Sequence, residues 1–526
     1  MVAKTFKGLE AVLRDELISL GAENVEMGCR MVSFEGDLEL MYRANLCLRT
    51  ALRILKPIEK FTASDPDALY DIVREIPWEK YLTPQSTFAI DATVNSDDFT
   101  HSKFVTYRVK DGIVDHFRDL AGERPSVRVA GYDLLFNVHI DGDRVTISLD
   151  SSGEPLSKRG YRDEATEAPI NEALAAGIIM TTGWRGDSDF VDPMCGSGTF
   201  LIEAALIAAN INPGIYRKGF AFEKWADFDA DLFEDLYNDD SQERDFAFKI
   251  MGGDIDPEAV AIARRNIKEA QLDDMIEVSC RPMSEWTDNP ESGMLVMNPP
   301  YGHRLKPDDM MEMYRGIGTC LKRNFKGWNA WIIGLDNEDM DNIGLKPSVR
   351  IPLLNGSLEC SLREYVLFDG RYNDFRADGG SVKNFDRDDR HAGKEPRKMR
   401  RISDDEWKSE TRKYGDHKPS KKPFKKENKP FRNDDNRKPF RNDDDRKPFR
   451  KDDNRKPFRN DDDRKPFRKD DNRKPFRKDE GRRSYQQPAR EIVDRGPRIS
   501  ADKSRVINPV YFRGRKNKDN YEENDD

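Results

Sequence analysis

Apolar positions divide the chain into stretches with different rhythms. Near the start, Leu9, Val12, Leu13, Leu17 and Leu20 recur every three or four residues, so residues 8–20 are predicted to form an amphipathic helix that Gly21 ends. Strand-like runs follow around Val25 and over residues 31–34, then a second helical stretch over residues 38–52. Up to about residue 155 the pattern mixes helices with β-rich runs at residues 88–94, 127–130, 134–140 and 145–149. The last two, joined by Asp141-Gly142-Asp143, are a hairpin signal. Beyond Pro169 the rhythm becomes strand, glycine-rich turn, helix, and repeats, which predicts a largely parallel α/β sheet.

The last third has almost no apolar pattern. Lys-Pro-Phe recurs from Lys429, Lys438, Lys447, Lys456, Lys465 and Lys474, a nine-residue period. One Phe per unit and a Pro in each leave nothing with which to build a core, a helix or a central strand, so residues 371–526 are predicted to be a disordered tail. Charge splits at the same place. The tail holds 49 Lys and Arg against 34 Asp and Glu, a net +15, whereas residues 1–370 carry −24.

No apolar run approaches the ~20 residues of a membrane span; even the richest, residues 200–211, contains Glu203. Glu10, Arg14, Asp15 and Glu16 break up any apolar core of a signal peptide. Cys29, Cys47, Cys195, Cys280, Cys320 and Cys360 are scattered without a Cys-x-x-Cys pair, which fits reduced cytoplasmic thiols better than disulfides or zinc. The expectation is a cytoplasmic protein without membrane anchor or metal.

Three motifs carry candidate chemistry. In Asp189-Phe190-Val191-Asp192-Pro193-Met194-Cys195-Gly196-Ser197-Gly198-Thr199-Phe200, a strand ends in an acid and a Gly-x-Gly turn opens an apolar helix. Such a turn lets backbone approach a nucleotide-like ligand closely, although a tight loop with no ligand uses the same residues. No Gly-Lys-Ser/Thr follows to hold a triphosphate. S-adenosylmethionine, which has no phosphate, suits an acid such as Asp192 facing its cationic end. The second motif, Ile250-Met251-Gly252-Gly253-Asp254-Ile255-Asp256-Pro257, places an acid where ribose hydroxyls could donate to it; helix capping is the plainer reading. The third is Met294-Leu295-Val296-Met297-Asn298-Pro299-Pro300-Tyr301. An exocyclic amine conjugated to a base is a poor nucleophile unless acceptors hold its hydrogens. The Asn298 side-chain carbonyl and the Pro299 main-chain carbonyl can both accept from it, and Tyr301 offers a face for an extruded base. Alone, Asn-Pro-Pro is also ordinary turn punctuation.

Taken together, residues 192–199, 254–257 and 298–301 resemble the class I methyltransferase motifs in their usual order. Ser152-Gly153-Glu154-Pro155-Leu156-Ser157-Lys158-Arg159-Gly160-Tyr161-Arg162, Ala168-Pro169-Ile170-Asn171-Glu172 and Asn298-Pro299-Pro300-Tyr301-Gly302-His303-Arg304-Leu305 narrow the likeness. The chain resembles the THUMP-domain RNA guanine-N2 methyltransferases, in the RlmL branch that acts on 23S ribosomal RNA. The resemblance implies a ferredoxin-like segment over residues 1–55, a THUMP RNA-binding domain over 45–155 and an α/β Rossmann-like methyltransferase domain over 156–370, followed by the tail. It implies S-adenosylmethionine as cofactor, with Asp192, Gly196 and Gly198 along the methionine moiety and Asp254 on the ribose. Pro193, Cys195, Thr199 and Asp256 complete that pocket, and Asn298, Pro299, Pro300 and Tyr301 form the catalytic base pocket. Arg159 and Tyr161 are expected to have structural or substrate-positioning roles.

The implied reaction is direct in-line methylation of a guanine N2 amine in 23S ribosomal RNA or its precursor, driven mostly by positioning. Alternatives are a transfer RNA guanine-N2 methyltransferase, a DNA adenine-N6 or cytosine-N4 methyltransferase, and a non-catalytic RNA-binding assembly factor. Two departures stand out: Cys280-Arg281-Pro282-Met283 lacks the acid that relatives place against adenine, and the charged tail stands where some members carry a second methyltransferase domain. No second activity is expected. An acidic head is an awkward partner for RNA, so Lys103, Arg108, Lys110 and Arg128 are candidate phosphate contacts, and the tail is expected either to bind RNA or to self-associate.

Overall fold

The computed structural model describes residues 1–162, 164–166, 169–287, 289–301, 307–368 and 370, with backbone alone at 307 and 308, and a short ladder pairing Arg498–Ile499 with Val506–Ile507. The Lys-Pro-Phe repeats and residues 302–305 of the third motif lie outside the described residues.

Residues 1–150 build one eight-stranded sheet. Its strands are β1 (Val2–Lys4), β2 (Glu23–Gly28), β3 (Met31–Glu35), β4 (Arg53–Thr62), β5 (Thr87–Asn95), β6 (Ser126–Val127), β7 (Leu134–Asp141) and β8 (Arg144–Asp150). The order is β2-β3-β1-β4-β8-β7-β5-β6. Neighbours are antiparallel, except that β5 runs parallel to both β6 and β7. The connecting helices are α1 (Glu10–Ser19), α2 (Leu38–Cys47), α3 (Pro66–Glu75) and α4 (Ser102–Ala121). Phe34, Met41, Trp78, Phe88, Phe117 and Phe136 are among their shared core. The β7–β8 hairpin turns at Gly142, whose φ of +65° a Cβ would disfavour.

The second helix departs from the periodicity. It was predicted over residues 38–52 but ends at Cys47, because the buried Glu16 carboxylate of α1 takes the Arg49 amide at 2.7 Å and the Thr50 amide at 3.1 Å. Those amides are lost to a helix, and the chain enters β4 instead. β4 is the seam of the sheet: it pairs with β1 (Leu55 opposite Val2) and with β8 (Leu55 opposite Asp150).

The second sheet holds β9 (Asp189–Asp192), β10 (Ile250–Asp254), β11 (Ile276–Cys280), β12 (Gly293–Met297), β13 (Asn329–Leu335), β14 (Val349–Asn355) and β15 (Leu358–Val366). The order is β11-β10-β9-β12-β13-β15-β14, parallel through β13, with β15 antiparallel to both its neighbours. Its helices are α5 (Glu172–Thr181), α6 (Thr199–Ala208), α8 (Pro257–Glu269) and α9 (Pro307–Asn324), whereas α7 (Ala230–Tyr237) packs against α2 and sends Phe233 into the core of the first sheet, beside Tyr42. Every residue of α6 is buried, and apart from Thr199 and Glu203 its sequence is accordingly apolar on all sides rather than on one stripe. Strand order reverses between β9 and β12, the place where an open α/β sheet forms a crevice at the strands' carboxyl ends. This is the class I methyltransferase fold.

A buried polar cluster joins the two sheets. Arg159 is 1% exposed and Glu203 of α6 is 0% exposed, with Nε and Oε1 3.3 Å apart. Arg159 also donates to the carbonyls of Leu156 (2.9 Å) and Arg49 (2.5 Å), and the Tyr161 hydroxyl donates to Glu203 at 2.9 Å. Arg217 spends its Nη atoms on the carbonyls of Ser152, Glu154, Pro155 and Lys158; burial lowers its pKa to about 10. Of the two roles expected for Arg159 and Tyr161, these contacts are the structural one.

Candidate functional site

The Gly-rich turn sits where β9 meets α6, and its shape follows from its residues. Gly196 has φ +51° and Gly198 has φ +82°. Among the described residues a Cβ at Gly196 would meet only Thr166 Oγ1, at 3.7 Å, so these residues leave space beside the turn. The turn is stitched to the next strand: the Cys195 amide donates to Gly253 O at 2.9 Å and the Gly196 amide to Asp254 Oδ2 at 2.9 Å. Asn266 of α8 holds the Ser197 carbonyl at 3.0 Å from behind. Arg162 donates to Thr199 Oγ1 at 2.7 Å and to Ile170 O at 2.9 Å, fixing the first residue of α6. Arg162 lay inside a quoted stretch and Asn266 outside every motif, so sequence reasoning assigned neither a role.

Asp192 is 1% exposed, and the Met194 amide reaches it at 3.1 Å. Burial pushes its carboxyl well above the usual carboxylate range, and nearby Asp254 adds to the push. A buried acid with so little compensation beside open space is the donor set a cationic ligand suits. Burial, with Asp192 and Asp254, also drives the Cys195 thiol well up, so Cys195 lines the turn as a neutral group. Pro193 is buried just ahead of it. Asp254 gives one oxygen to Gly196 and the other to the Asp256 amide at 3.0 Å. A carboxylate offers about four lone-pair sites, so capacity remains for ribose hydroxyls. Asp256 caps α8 through the Glu258 amide, which is the plainer of its two sequence readings. Beyond β11, Arg281 lies over the Trp286 ring, 3.9 Å from its centroid, and a Cβ at Gly253 would meet that same ring at 2.8 Å.

Residues 298–301 emerge from β12, the strand beside β9, with Leu295 opposite Val191. Asn298 and Asp192 thus stand at the carboxyl ends of adjacent strands. The Asn298 Oδ1 atom is buried and finds no hydrogen-bond partner among the described residues. Pro299 is buried and Pro300 half-buried. Tyr301 is only 4% exposed, and its hydroxyl accepts from Asn355 Nδ2 at 2.7 Å. The ring is therefore packed into the apolar core of this half, not displayed as an open stacking face. Two of the basic residues considered for RNA are committed elsewhere: Arg108 to Asp67 (2.6 Å) and the Tyr70 ring, Lys110 to Asp111 (2.5 Å). Among the described residues no cluster of His, Cys, Asp or Glu could hold a metal, and no helix is long and apolar enough to cross a membrane.

Comparison with known proteins agrees with the fold. Family models match an RlmL ferredoxin-like domain over residues 1–55, a THUMP domain over 63–150 and an RMKL-like methyltransferase domain over 159–364. The chain is 39% identical over 380 residues to the Ribosomal RNA large subunit methyltransferase K/L of Syntrophotalea carbinolica, covering 70% of this chain and 53% of that protein. It spans about half the length of the curated relatives of that name. The Synechocystis sp. protein slr0064, named as an RNA methyltransferase, is 37% identical over 369 residues, covering 70% of this chain and 96% of its own. A crystal structure of SMU.472, described as a methyltransferase and complexed with SAH, aligns at 32% identity and TM-score 0.63 over 70% of this chain and 98% of that one. By sequence, domain content and fold, the chain belongs to the THUMP-bearing RMKL-like methyltransferases.

Proposed function

We propose that the chain is an S-adenosylmethionine-dependent RNA methyltransferase that methylates the exocyclic N2 amine of a guanine in 23S ribosomal RNA or its precursor. The observation that carries the reading is the buried Asn298 Oδ1, without a hydrogen-bond partner among the described residues and one strand over from the buried Asp192. When bound, S-adenosylmethionine supplies an activated methyl group. Asp192 would balance the positive charge at the methionine end, the space beside Gly196 would admit it, and Asp254 would accept from the ribose. Asn298 Oδ1 and the Pro299 carbonyl would accept hydrogen bonds from the target amine, turning its lone pair toward the methyl group, and the one proton the amine gives up on methylation would pass to solvent. RNA as substrate is supported by the THUMP match, and ribosomal RNA by the names of the longer relatives. In this reading the ferredoxin-like and THUMP segments present the RNA to a catalytic half that begins near residue 156.

The direct test is transfer of a labelled methyl group into total RNA, followed by digestion to nucleosides. Label in N2-methylguanosine of the large ribosomal RNA is the expected result. Label in transfer RNA would move the substrate and keep the chemistry. Cofactor binding with no label in any RNA or DNA would leave the assembly factor standing.

Asp192 gives a second test. Because burial raises its folded pKa, the free protein carries Asp192 protonated over a pH range where an unburied carboxylate is ionised. A cationic cofactor end selects the ionised form, so binding below the raised pKa must release a proton. Cofactor affinity is therefore expected to rise as pH climbs above the ordinary carboxylate range and to level off once Asp192 is ionised. Asp192→Asn should bind more weakly and without that slope. Equilibrium dialysis across pH decides it: a flat wild-type profile would remove Asp192 from the cationic end.

A further inference from the structure

We propose that Asn355 is a positioning residue for methyl transfer, holding Tyr301 and through it the 298–301 pocket by the tyrosine hydroxyl. The inference rests on the reading of residues 298–301 as the target-base pocket and adds an element that no motif in the sequence pointed to.

Asn355 is the last residue of β14, at the tip of the β14–β15 hairpin, with Leu358 directly opposite. The two residues between them are Gly356 and Ser357, and Gly356 alone has positive φ, +62°. Positive φ at the first central position alone is the II′ arrangement, a turn whose twist matches the flanking strands and fixes their register. Asn355 is thus held at a defined place. It donates to the Tyr301 hydroxyl at 2.7 Å. Cys360, which faces Leu353 across the same hairpin, is buried beneath, and a hydrogen bond from Tyr301 partly offsets the upward push of burial on its thiol. These two partners of the hydroxyl therefore belong to one hairpin.

The hairpin is itself backed. A Cβ at Gly8, just before α1, would lie 2.8 Å from Leu353 Cδ2 and 2.9 Å from Pro352 O, so the front of the chain abuts β14 directly. At its other end the pocket segment leaves β12, which is laddered to β9 and β13. Two prolines restrict the backbone between these anchors. The segment is consequently tied at Met297 by the sheet and at Tyr301 by Asn355. Loss of the second tie leaves the ring to its apolar packing and lets Asn298 and Pro299 shift from the amine, and small misplacements of this kind are costly to rate. The role of the hydroxyl is distinct from that of the ring, so Phe at 301 tests one and Ala tests both.

The experiment uses the full chain with Tyr301→Phe, Asn355→Ala, their double and Tyr301→Ala, assayed by single-turnover methyl transfer into RNA at saturating cofactor, with cofactor affinity measured separately. Tyr301→Phe and Asn355→Ala are each expected to slow turnover about tenfold, as loss of one buried hydrogen bond would. Cofactor affinity should stay at the wild-type value, the double should be no slower than either single, and Tyr301→Ala should be slower still. Wild-type rates in Tyr301→Phe or Asn355→Ala with Tyr301→Ala impaired would overturn the anchor alone; so would a double whose losses multiply. Wild-type turnover in Tyr301→Ala would instead overturn the pocket reading beneath it.

Discussion

Asn298→Ala is expected to slow methyl transfer by about 10²- to 10³-fold, the loss typical of removing one preorganised polar group from a reacting centre, with cofactor affinity unchanged. The size follows from what surrounds the atom. Asn298 Oδ1 is already buried without a partner among the described residues, so the fold has met the desolvation cost in advance and the acceptor is ready when an amine arrives. The truncation should not collapse the segment, because Pro299 and Pro300 restrict its backbone and Tyr301 is held from the hairpin. Single-turnover rates set beside cofactor titration check this. An alanine variant that transfers methyl groups at the wild-type rate would sink the assignment of Asn298 and the amine chemistry with it.

The second large effect falls on stability. Arg159→Ala leaves the Glu203 carboxylate, 0% exposed, with Tyr161 as its hydrogen-bond donor among the described residues, and breaking a buried ion pair in this way costs about 3–5 kcal/mol. Arg159→Met combined with Glu203→Leu should recover most of that loss, since two well-packed apolar side chains often replace a buried pair without penalty. Urea unfolding should show a lower midpoint for the transition of the catalytic half in the single variant and a restored one in the pair. A single variant that unfolds at the wild-type midpoint would mean that water reaches Glu203, contrary to the packing.

Much of this architecture was legible in residue pattern. The parallel half declared itself because strands bounded by Gly-rich turns alternate with helices, and the acids at positions 192 and 254 mark strand ends that the structure places side by side. The hairpin of residues 134–149 announced its turn with Asp141-Gly142-Asp143. What escaped had a non-local cause. The early end of α2 depends on Glu16, more than thirty positions away in sequence, and no window of periodicity contains it. β4 was missed with it. Tyr301 read as an exposed platform because an aromatic after two prolines looks like a loop residue; its burial comes from β13–β15, which follow it. The Gly356-Ser357 turn carried a readable hairpin signal of its own, but nothing near it suggested that Asn355 beside it would reach back to position 301.

The single sheet of residues 1–150 has a consequence for how the protein is made. β4 finishes at Thr62, yet one of its two neighbours, β8, is complete only at Asp150. At translation rates of about 5–20 residues per second, β4 therefore waits roughly 4–18 seconds with one edge unpaired as the chain leaves the ribosome. A ten-residue strand in that state is a template for wrong partners. β4 carries its own protection: Arg53, Lys56, Glu59 and Lys60 charge the strand, and Pro57 removes a backbone donor beside a break in register with β8. The polar interruptions that hid β4 from the hydrophobic pattern are the ones that guard it while it is nascent.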